Sequence, residues 1–397
     1  MKIIFISEHY EPILGGTTTY VKSVCEQISN LGHSVELIAP KNTTIGKLDI
    51  IEISSNWRIH YIGLGCDLTS IPRYLRLKFV ENVNTYLSQI VNDFKPDVIH
   101  VLFGMFLLEG LKIEEFSIPF CVTIHNIPPR ECGTSWQGDS PWRYFADILR
   151  KKAVGWVNYR RLLSHEYDTY ITVSDQTKHL LSAILPDKKI VEIQLGAKLP
   201  NSLSPDSYQL LADQKCKILT VGGYVPHKGY HIALKAASQL LSDNFQFLWT
   251  IIGVVRNRRY YKYLQDKIIE LGLNEVVDLR ENVTEKELQL AYYNSNIYVQ
   301  TSLEEGFCLA TLDAAFYGIP IIGTPQGAIP DIIKQARGVL TESYSPSIAN
   351  AITHTWNLLP EYFYTEDTLT AIRQKYSWQR VIQEMIETYK ILTSNAT

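Results

Sequence analysis

The chain has 397 residues, of which 46% are hydrophobic and 20% are charged. This length predicts two to three domains, and the composition excludes an extended disordered chain because enough apolar residues are present to form a sizeable core. A formal net charge of −3 at pH 7 gives no general reason to expect a nucleic-acid partner.

Cysteine usage and the lengths of the apolar runs predict a cytoplasmic protein. The six cysteines form no Cys-x-x-Cys pair and no Cys/His cluster with zinc spacing, which predicts reduced thiols and no zinc site. The apolar N-terminal segment is too short for a signal peptide and is typical of a first strand. No apolar run approaches the roughly 20 residues of a membrane helix. We therefore expect a soluble protein, with peripheral contact at the cytoplasmic membrane face as the alternative.

Strand and helix patterns alternate through the first half of the chain. A strand over 2–7 is followed by a loop with Gly15 and Gly16, a helix over 17–31 and a strand over 35–39. This order predicts a doubly wound parallel sheet that binds its ligands at the carboxyl ends of the strands. Further strands are predicted over 95–101, 119–124, 170–174 and 189–194.

A second alternating series begins with a strand over 217–221. It continues with strands over 249–253, 276–279, 297–300 and 319–323, and with helices over 260–271, 285–295 and 309–317. The segment before it is polar and rich in proline and serine, which is typical of a linker. The predicted boundaries are 1–199 for a first Rossmann-like domain, 200–216 for the linker, 217–375 for a second such domain and 376–397 for a C-terminal amphipathic helix.

The stretch from residue 300 to residue 323 contains several candidate functional residues of the second half. A loop with Glu305 and Gly306 connects a strand to the helix over 309–317, and Asp313 falls in the second turn of that helix. The N-terminus of such a helix offers backbone N–H groups to an anion. A carboxylate just before it repels phosphate but can accept hydrogen bonds from the hydroxyls of a sugar.

The segment from Glu305 to Asp313 resembles the Glu-x7-Glu signature of retaining glycosyltransferases of the GT-B fold, glycosyltransferase family 4. The resemblance implies that Glu305 contacts the donor sugar and that Asp313, here in place of the second Glu, contacts the nucleotide ribose. Cys308 replaces the usual glycine. The implied contacts to the donor phosphates come from the backbone N–H groups of Gly306, Phe307, Cys308 and Leu309.

Other motifs of the same family follow in its order. Gly15 and Gly16 resemble its first glycine loop, which lies against the donor, and a tight turn is the alternative interpretation. His125 ends the strand over 119–124, where the family has a histidine beside the donor sugar. Asn126 stands where the family usually has Asp. His100, within the strand over 95–101, is interpreted as a core or strand-end histidine.

The loop after the strand over 217–221 departs most from the family. Gly222-Gly223-x4-Lys228-Gly229 resembles Gly-Arg-x4-Lys-Gly, in which Arg and Lys bind the diphosphate, so Lys228 is retained and Gly223 replaces the Arg. Losing one charge-assisted hydrogen bond of roughly 1.5–3 kcal/mol lowers the rate about 10- to 100-fold unless another group compensates. Three arginines after the strand over 249–253 are candidates for compensation, and ordinary exposed loop arginines are the alternative: Arg256, Arg258 and Arg259.

The implied architecture is GT-B, in which two Rossmann-like domains face each other across a cleft and a C-terminal helix crosses back to the first domain. Gly253, Asn282 and Val283 complete the implied donor site. The implied activity is transfer of a sugar from a nucleoside-diphosphate sugar, with UDP or GDP as the expected nucleotide, to a hydroxyl of a glycan, lipid-linked or small-molecule acceptor, with retention of configuration. No metal or further cofactor is expected, and the sequence contains no Asp-x-Asp motif.

The sequence leaves several alternatives open. The departures at Gly223, Asp313 and Asn126 are also compatible with a catalytically silent protein that binds a nucleotide sugar or a partner. An epimerase on the same fold is a further alternative, whereas no pyridoxal-site signature supports a phosphorylase. The aromatic and basic residues over 126–165 suggest an acceptor loop or a surface helix, and those over 73–79 suggest a membrane-contacting or a solvated helix. The oligomeric state is not predicted.

Overall fold

The computed structural model describes residues 1–12, 15–68, 71–104, 106–127, 166–197, 215–359 and 365–395, together with scattered positions between 142 and 164. The chain divides into two compact units. The first comprises the described residues of Met1–Cys132, Lys151–Leu195 and Trp378–Thr397, and the second those of Gly133–Arg150 and Gly196–Ser377. The predicted linker lies outside the described residues except for its last two, and Cys216 already begins a strand.

The first unit is built on an eight-stranded sheet with the order β3-β4-β2-β1-β5-β6-β7-β8. Its strands are β1 Lys2–Ser7, β2 Ser34–Lys41, β3 Leu48–Ser54, β4 Trp57–Gly63, β5 Val98–Phe103, β6 Phe120–Ile124, β7 Thr169–Thr172 and β8 Ile190–Glu192. All neighbouring strands are parallel except β3, which is antiparallel to β4. The parallel sheet that the sequence predicted is therefore confirmed, with one antiparallel strand at its edge.

The antiparallel strand was missed because its pattern is atypical. Ile50, Ile51 and Ile53 of β3 are exposed, so apolar residues do not mark a buried face. The central strand β1 has the opposite character, since its residues from Ile3 to Ile6 are fully buried. A continuous apolar run is typical of a parallel strand that helices cover on both sides. The described helices that connect these strands are α1 Gly16–Asn30, α2 Arg73–Phe94, α3 Leu107–Gly110 and α4 Asp175–Ile184.

The second unit contains a six-stranded, fully parallel sheet with the order β11-β10-β9-β12-β13-β14. Its strands are β9 Cys216–Val221, β10 Phe247–Gly253, β11 Val277–Glu281, β12 Ile297–Gln300, β13 Ile321–Gly323 and β14 Val339–Leu340. Its helices are α5 Tyr230–Ser242, α6 Arg258–Glu270, α7 Glu285–Tyr293, α8 Leu309–Phe316, α9 Ile329–Gln335, α10 Ser345–Asn357 and α11 Glu366–Lys375. Both sheets thus have the doubly wound α/β organisation that the sequence predicted.

The last helix, α12 Trp378–Asn395, belongs to the first unit although it ends the chain. It packs against α1. The Tyr389 hydroxyl lies 2.6 Å from His100 Nδ1, and His100 Nε2 lies 2.8 Å from the Thr123 hydroxyl. His100 is fully buried and has a pKa lowered to about 3 by that burial, so it is the core histidine that the sequence predicted.

Among the described residues, no helix combines the length and the apolar character needed to cross a lipid bilayer.

Candidate active site

The candidate site of the second unit lies where its strand order reverses. From β9 the chain adds β10 and β11 on one side of the sheet, and it then returns to place β12 and β13 on the other side. Parallel sheets bind ligands at the carboxyl ends of strands beside such a switch point. The loop after β9 carries Lys228 and the loop after β12 carries Glu305, so the two residues meet where the topology predicts a site.

Hydrogen bonds fasten these two loops to each other. The Leu303 N–H donates to the His227 carbonyl at 2.7 Å, and the Thr301 hydroxyl donates to the Lys228 carbonyl at 2.9 Å. Gly229 makes this approach possible. It has φ 70°, and a Cβ atom there would lie 2.0 Å from the Thr301 carbonyl oxygen. Only glycine fits this position.

Lys228 and Glu305 form a largely buried ion pair. Lys228 Nζ lies 2.5 Å from Glu305 Oε1, and the side chains are 17% and 9% exposed. Burial opposes ionisation of both groups, but their mutual attraction and hydrogen bond prevail. The pKa of Lys228 is therefore raised and the pKa of Glu305 lowered relative to their ordinary values. Both groups are charged at neutral pH.

A buried chain of hydrogen bonds orients the Glu305 carboxylate. The Tyr298 hydroxyl donates to Gln300 Oε1 at 2.6 Å, and Gln300 Nε2 donates to Ser302 Oγ at 2.7 Å. The Ser302 hydroxyl then donates to Glu305 Oε1 at 2.6 Å. Sequence reasoning missed the roles of Tyr298, Gln300 and Ser302. The polar run Gln-Thr-Ser at the end of an otherwise apolar strand was the available signal.

Helix α8 begins directly after the loop of Glu305. The loop continues through Gly306 and the buried Phe307, and Leu309 is the first helical residue. Cys308 precedes it with φ 76°, a left-handed conformation that costs a residue other than glycine roughly 1–2 kcal/mol. The backbone shape that favours glycine is thus retained although the residue is Cys. Its thiol is buried and accepts a hydrogen bond from the Thr311 hydroxyl at 3.1 Å.

Asp313 is partly buried on this helix. Burial, with a smaller contribution from the charge of Glu285, raises the pKa of Asp313 to about 7. A carboxyl group in this state is only partly ionised at neutral pH. It becomes a better acceptor for ligand hydroxyls as the pH rises.

The other predicted residues of the second unit lie at the same edge of the sheet. Gly223 follows β9, Gly253 ends β10, and Asn282 and Val283 follow β11. Asn282 is exposed with φ 57°. Gly223 carries no cation, but the Arg256 side chain lies against it, since a Cβ atom on Gly223 would be 3.3 Å from Arg256 Cγ.

The remaining predicted residues lie in the first unit. Gly15 is the N-cap of α1 and Gly16 is its first residue, beyond the carboxyl end of β1. His125 follows β6 and is partly buried. Its Nε2 lies 2.9 Å from the Leu102 carbonyl, and its ring contacts the ring of Tyr20 edge-on at 4.8 Å. Because a carbonyl only accepts, Nε2 carries the proton and Nδ1 is the acceptor.

Burial lowers the pKa of His125 to about 4, so the imidazole is neutral at pH 7. The predicted acceptor loop over 126–165 lies mostly outside the described residues. In the part of the chain that the structure describes, no group of three or more His, Cys, Asp or Glu side chains is placed to hold a metal ion.

Comparisons with known proteins place the chain in a family. The family model described as Glycosyltransferase Family 4 matches residues 14–199, and the model described as Glycosyl transferases group 1 matches residues 207–357. An uncharacterized glycosyltransferase of Methanocaldococcus jannaschii is 23% identical, with 98% of both chains covered.

Solved structures also resemble the whole chain. A sucrose-phosphate synthase from Thermosynechococcus elongatus superimposes with a TM-score of 0.79 at 20% identity, covering 99% of both chains. An Anabaena protein in complex with UDP and glucose superimposes with a TM-score of 0.66 at 16% identity, covering 98% of this chain and 99% of that chain. The family models between them match most of the sequence, and the chain therefore belongs to the family 4 (group 1) glycosyltransferases of the GT-B fold.

Proposed function

We propose that this glycosyltransferase uses a UDP or GDP sugar and transfers the sugar to a hydroxyl of a sugar or lipid-linked acceptor, with retention of anomeric configuration. The observation that carries the proposal is the buried Lys228–Glu305 pair at the switch point of the second sheet. Retention is the stereochemical course implied by the family resemblance. The Anabaena structure with bound UDP and glucose supports a nucleotide sugar as the donor class.

Lys228 is suited to the leaving diphosphate. Breaking the bond between the anomeric carbon and the phosphate oxygen leaves negative charge on the diphosphate, which fixed positive charge stabilises. An ammonium group has three N–H donors. One is directed at Glu305, so two are left for phosphate oxygens. The N-terminus of α8 adds backbone N–H groups and the positive end of the helix dipole.

Glu305 is suited to the donor sugar. Among the described residues, both hydrogen bonds to its carboxylate fall on Oε1, from Lys228 and Ser302. Oε2 is then the acceptor for a sugar hydroxyl. Because Oε1 is held from two sides, the carboxylate does not have to reorganise as positive charge develops on the sugar.

His125 and Asp313 are assigned the remaining polar contacts of the donor. Neutral His125 donates through Nε2 to the protein, so Nδ1 can accept a hydrogen bond from a sugar hydroxyl. Asp313, when ionised, can accept hydrogen bonds from the two ribose hydroxyls. Gly15 and Gly16 at the start of α1 allow a ligand to approach the backbone closely.

The experiment is a panel of UDP, GDP and ADP sugars, supplied with candidate sugar and lipid-linked acceptors, in which release of nucleoside diphosphate is measured. Glu305→Gln should lower the rate about 100-fold or more, by analogy with loss of one preorganised transition-state contact. Glu304→Gln is the matched control and should retain most of the activity. The coupling constant of the anomeric proton in the product, measured by NMR, tests retention.

Three results would overturn the proposal. One is that no nucleotide sugar binds in calorimetry. Another is that a nucleotide sugar binds but is not turned over, whichever acceptor is supplied, which would indicate a silent binding protein. The third is an inverted anomeric centre in the product, which would reject retention while preserving sugar transfer.

A further inference from the structure

The loops after β9 and β10 are fastened together next to Lys228. The Gly222 N–H donates to the Ile252 carbonyl at 2.9 Å, and the Tyr224 N–H donates to the Val254 carbonyl at 2.9 Å. A Cβ atom on Gly253 would lie 1.9 Å from the Gly222 carbonyl oxygen, so only glycine permits this approach. The two loops therefore form a single fixed edge beyond the sheet.

Arg256 is positioned by this edge from both sides. The Asn257 N–H donates to the Tyr224 carbonyl at 3.2 Å, and Asn257 Oδ1 accepts from the Tyr260 N–H at 3.0 Å as the N-cap of α6. The backbone immediately after Arg256 is thus bound to the loop of β9 and to its own helix. The Arg256 side chain starts from a fixed point, and the residue is exposed to solvent.

Two cationic side chains lie against two adjacent glycines. A Cβ atom on Gly222 would be 3.4 Å from Lys228 Cε, and a Cβ atom on Gly223 would be 3.3 Å from Arg256 Cγ. Neighbouring Cα atoms are about 3.8 Å apart. Both side chains therefore pass over the same short length of backbone. A side chain on Gly223 would compete with Arg256 for this space.

We propose that Arg256 is a second diphosphate-binding cation, which reaches the leaving group from the loop after β10 and occupies the space that the absent side chain of Gly223 leaves. The inference rests on the proposed function. In this proposal Lys228 acts on the diphosphate as a point charge. The planar Arg256 guanidinium can bind two phosphate oxygens in a bidentate manner. It also gives a physical reason for glycine at position 223.

The described contacts separate Arg256 from the other two arginines of this segment. Arg258 and Arg259 are the first two residues of α6 and are exposed. Neither is among the atoms nearest to the Cβ positions of Gly222 and Gly223. The proposal therefore assigns no phosphate contact to Arg258 or Arg259. Arg258 consequently serves as the matched control.

The test compares UDP with UMP, and GDP with GMP, by calorimetry at about 0.15 M salt, so that long-range electrostatics are screened. Arg256→Ala should weaken binding of the preferred nucleoside diphosphate at least tenfold, about 1.4 kcal/mol. It should change monophosphate affinity by less than threefold. Arg258→Ala should change neither affinity. Arg256→Lys should fall between the wild type and Arg256→Ala because it keeps the charge but not the fork.

A relocation variant sharpens the test. Gly223→Arg combined with Arg256→Ala should recover most of the lost diphosphate affinity, since the space vacated by Arg256 can take the new side chain. Equal losses for diphosphate and monophosphate in Arg256→Ala would overturn the inference, because they would indicate a general structural defect. Unchanged diphosphate affinity in Arg256→Ala, in a protein that binds and turns over a nucleotide sugar, would overturn it while leaving the proposed function intact. Absence of all nucleotide binding by the wild type would overturn both.

Discussion

The Lys228–Glu305 pair allows stability and activity to be separated in one set of variants. Glu305→Gln removes one charge and leaves Lys228 largely buried without a counter-charge. Lys228→Met removes the other charge and leaves Glu305 largely buried without a counter-charge. The double variant Lys228→Met/Glu305→Gln removes both charges and keeps similar side-chain volumes. We expect all three variants to lose transferase activity, but only the single variants to lose much stability.

The magnitude follows from the burial of the pair. Breaking a buried ion pair on one side costs about 3–5 kcal/mol because a charge is left uncompensated. The side chains are 17% and 9% exposed, so the lower end, about 3 kcal/mol, applies. For a unit of this size each kcal/mol shifts the melting temperature by about 2–4 °C, so each single variant should melt about 6–12 °C lower. The double variant should lose no more than either single variant, since neutral packing replaces a buried pair at little cost.

Differential scanning calorimetry of the full-length variants measures these shifts, and nucleoside diphosphate release measures activity. Glu304→Gln, in the same loop, is the control for general loop damage and should melt within about 2 °C of the wild type. Additive losses in the double variant would refute the reasoning, because additivity means that the two charges do not interact. A double variant that keeps activity would refute the assignment of the pair to the reaction.

Three further predictions concern other residues. Asp313→Asn should flatten the pH dependence of nucleoside diphosphate affinity between about pH 6 and 8; burial raises the pKa of Asp313 to about 7, so in the wild type the accepting carboxylate forms, and affinity rises, through this window. Gly229→Ala should lower the melting temperature far more than Gly272→Ala, because both residues have positive φ, 70° and 65°, but only Gly229 has a carbonyl oxygen 2.0 Å from the added Cβ. Tyr389→Phe removes a buried partner of His100 and should cost about 1–3 kcal/mol, with faster amide exchange across α12.

Each of these predictions has a result that contradicts it. Equal slopes of affinity against pH in wild type and Asp313→Asn would remove Asp313 from the nucleotide contacts. Asp313 also affects how the free energy of unfolding depends on pH. Its pKa in the folded state lies above its value in the unfolded state, so the stability that it contributes is present at low pH and is lost as the pH rises through about 7. Equal melting temperatures for Gly229→Ala and Gly272→Ala would show that the loop moves aside, and unchanged exchange in Tyr389→Phe would show that the hydrogen bond does not hold α12.

The sequence predicted the elements whose patterns are strong and local. The strand Ile297–Gln300 has the predicted bounds. Where tertiary contacts decide the bounds of an element, the observed bounds differ from the predicted ones. The last helix begins at Trp378 rather than at residue 376, because Ser377 bridges to Ala197 and the Tyr376 carbonyl accepts from the Ala197 N–H. A contact between residues so far apart in the chain leaves no local pattern.

In the site, too, the sequence predicted individual residues but not the tertiary contacts between them. Lys228 and Glu305 were predicted as site residues because each lies in a loop, at the end of an apolar strand, whose motif resembles one of the family. Their direct pairing was not predicted, because it depends on β9 and β12 being neighbours in the sheet. Likewise, Arg256 was one of three equivalent arginines in the sequence, and only the folded loops distinguish it. Sequence patterns thus indicate which residues can act, and strand order decides which of them act together.

The Lys228–Glu305 pair itself argues for a ligand rather than for stability alone. A buried ion pair is a weak source of stability, because apolar residues of similar volume often stabilise a fold equally well or better. Here the pair is nevertheless supported by a continuous chain of buried hydrogen bonds from Tyr298 through Gln300 and Ser302. Such a chain orients one carboxylate and one ammonium with little freedom, which is what a site that stabilises charge on a reacting sugar nucleotide requires. The strained backbone at the start of α8 and the raised pKa of its carboxyl group fit the same interpretation, since strain and perturbed ionisation concentrate at functional sites.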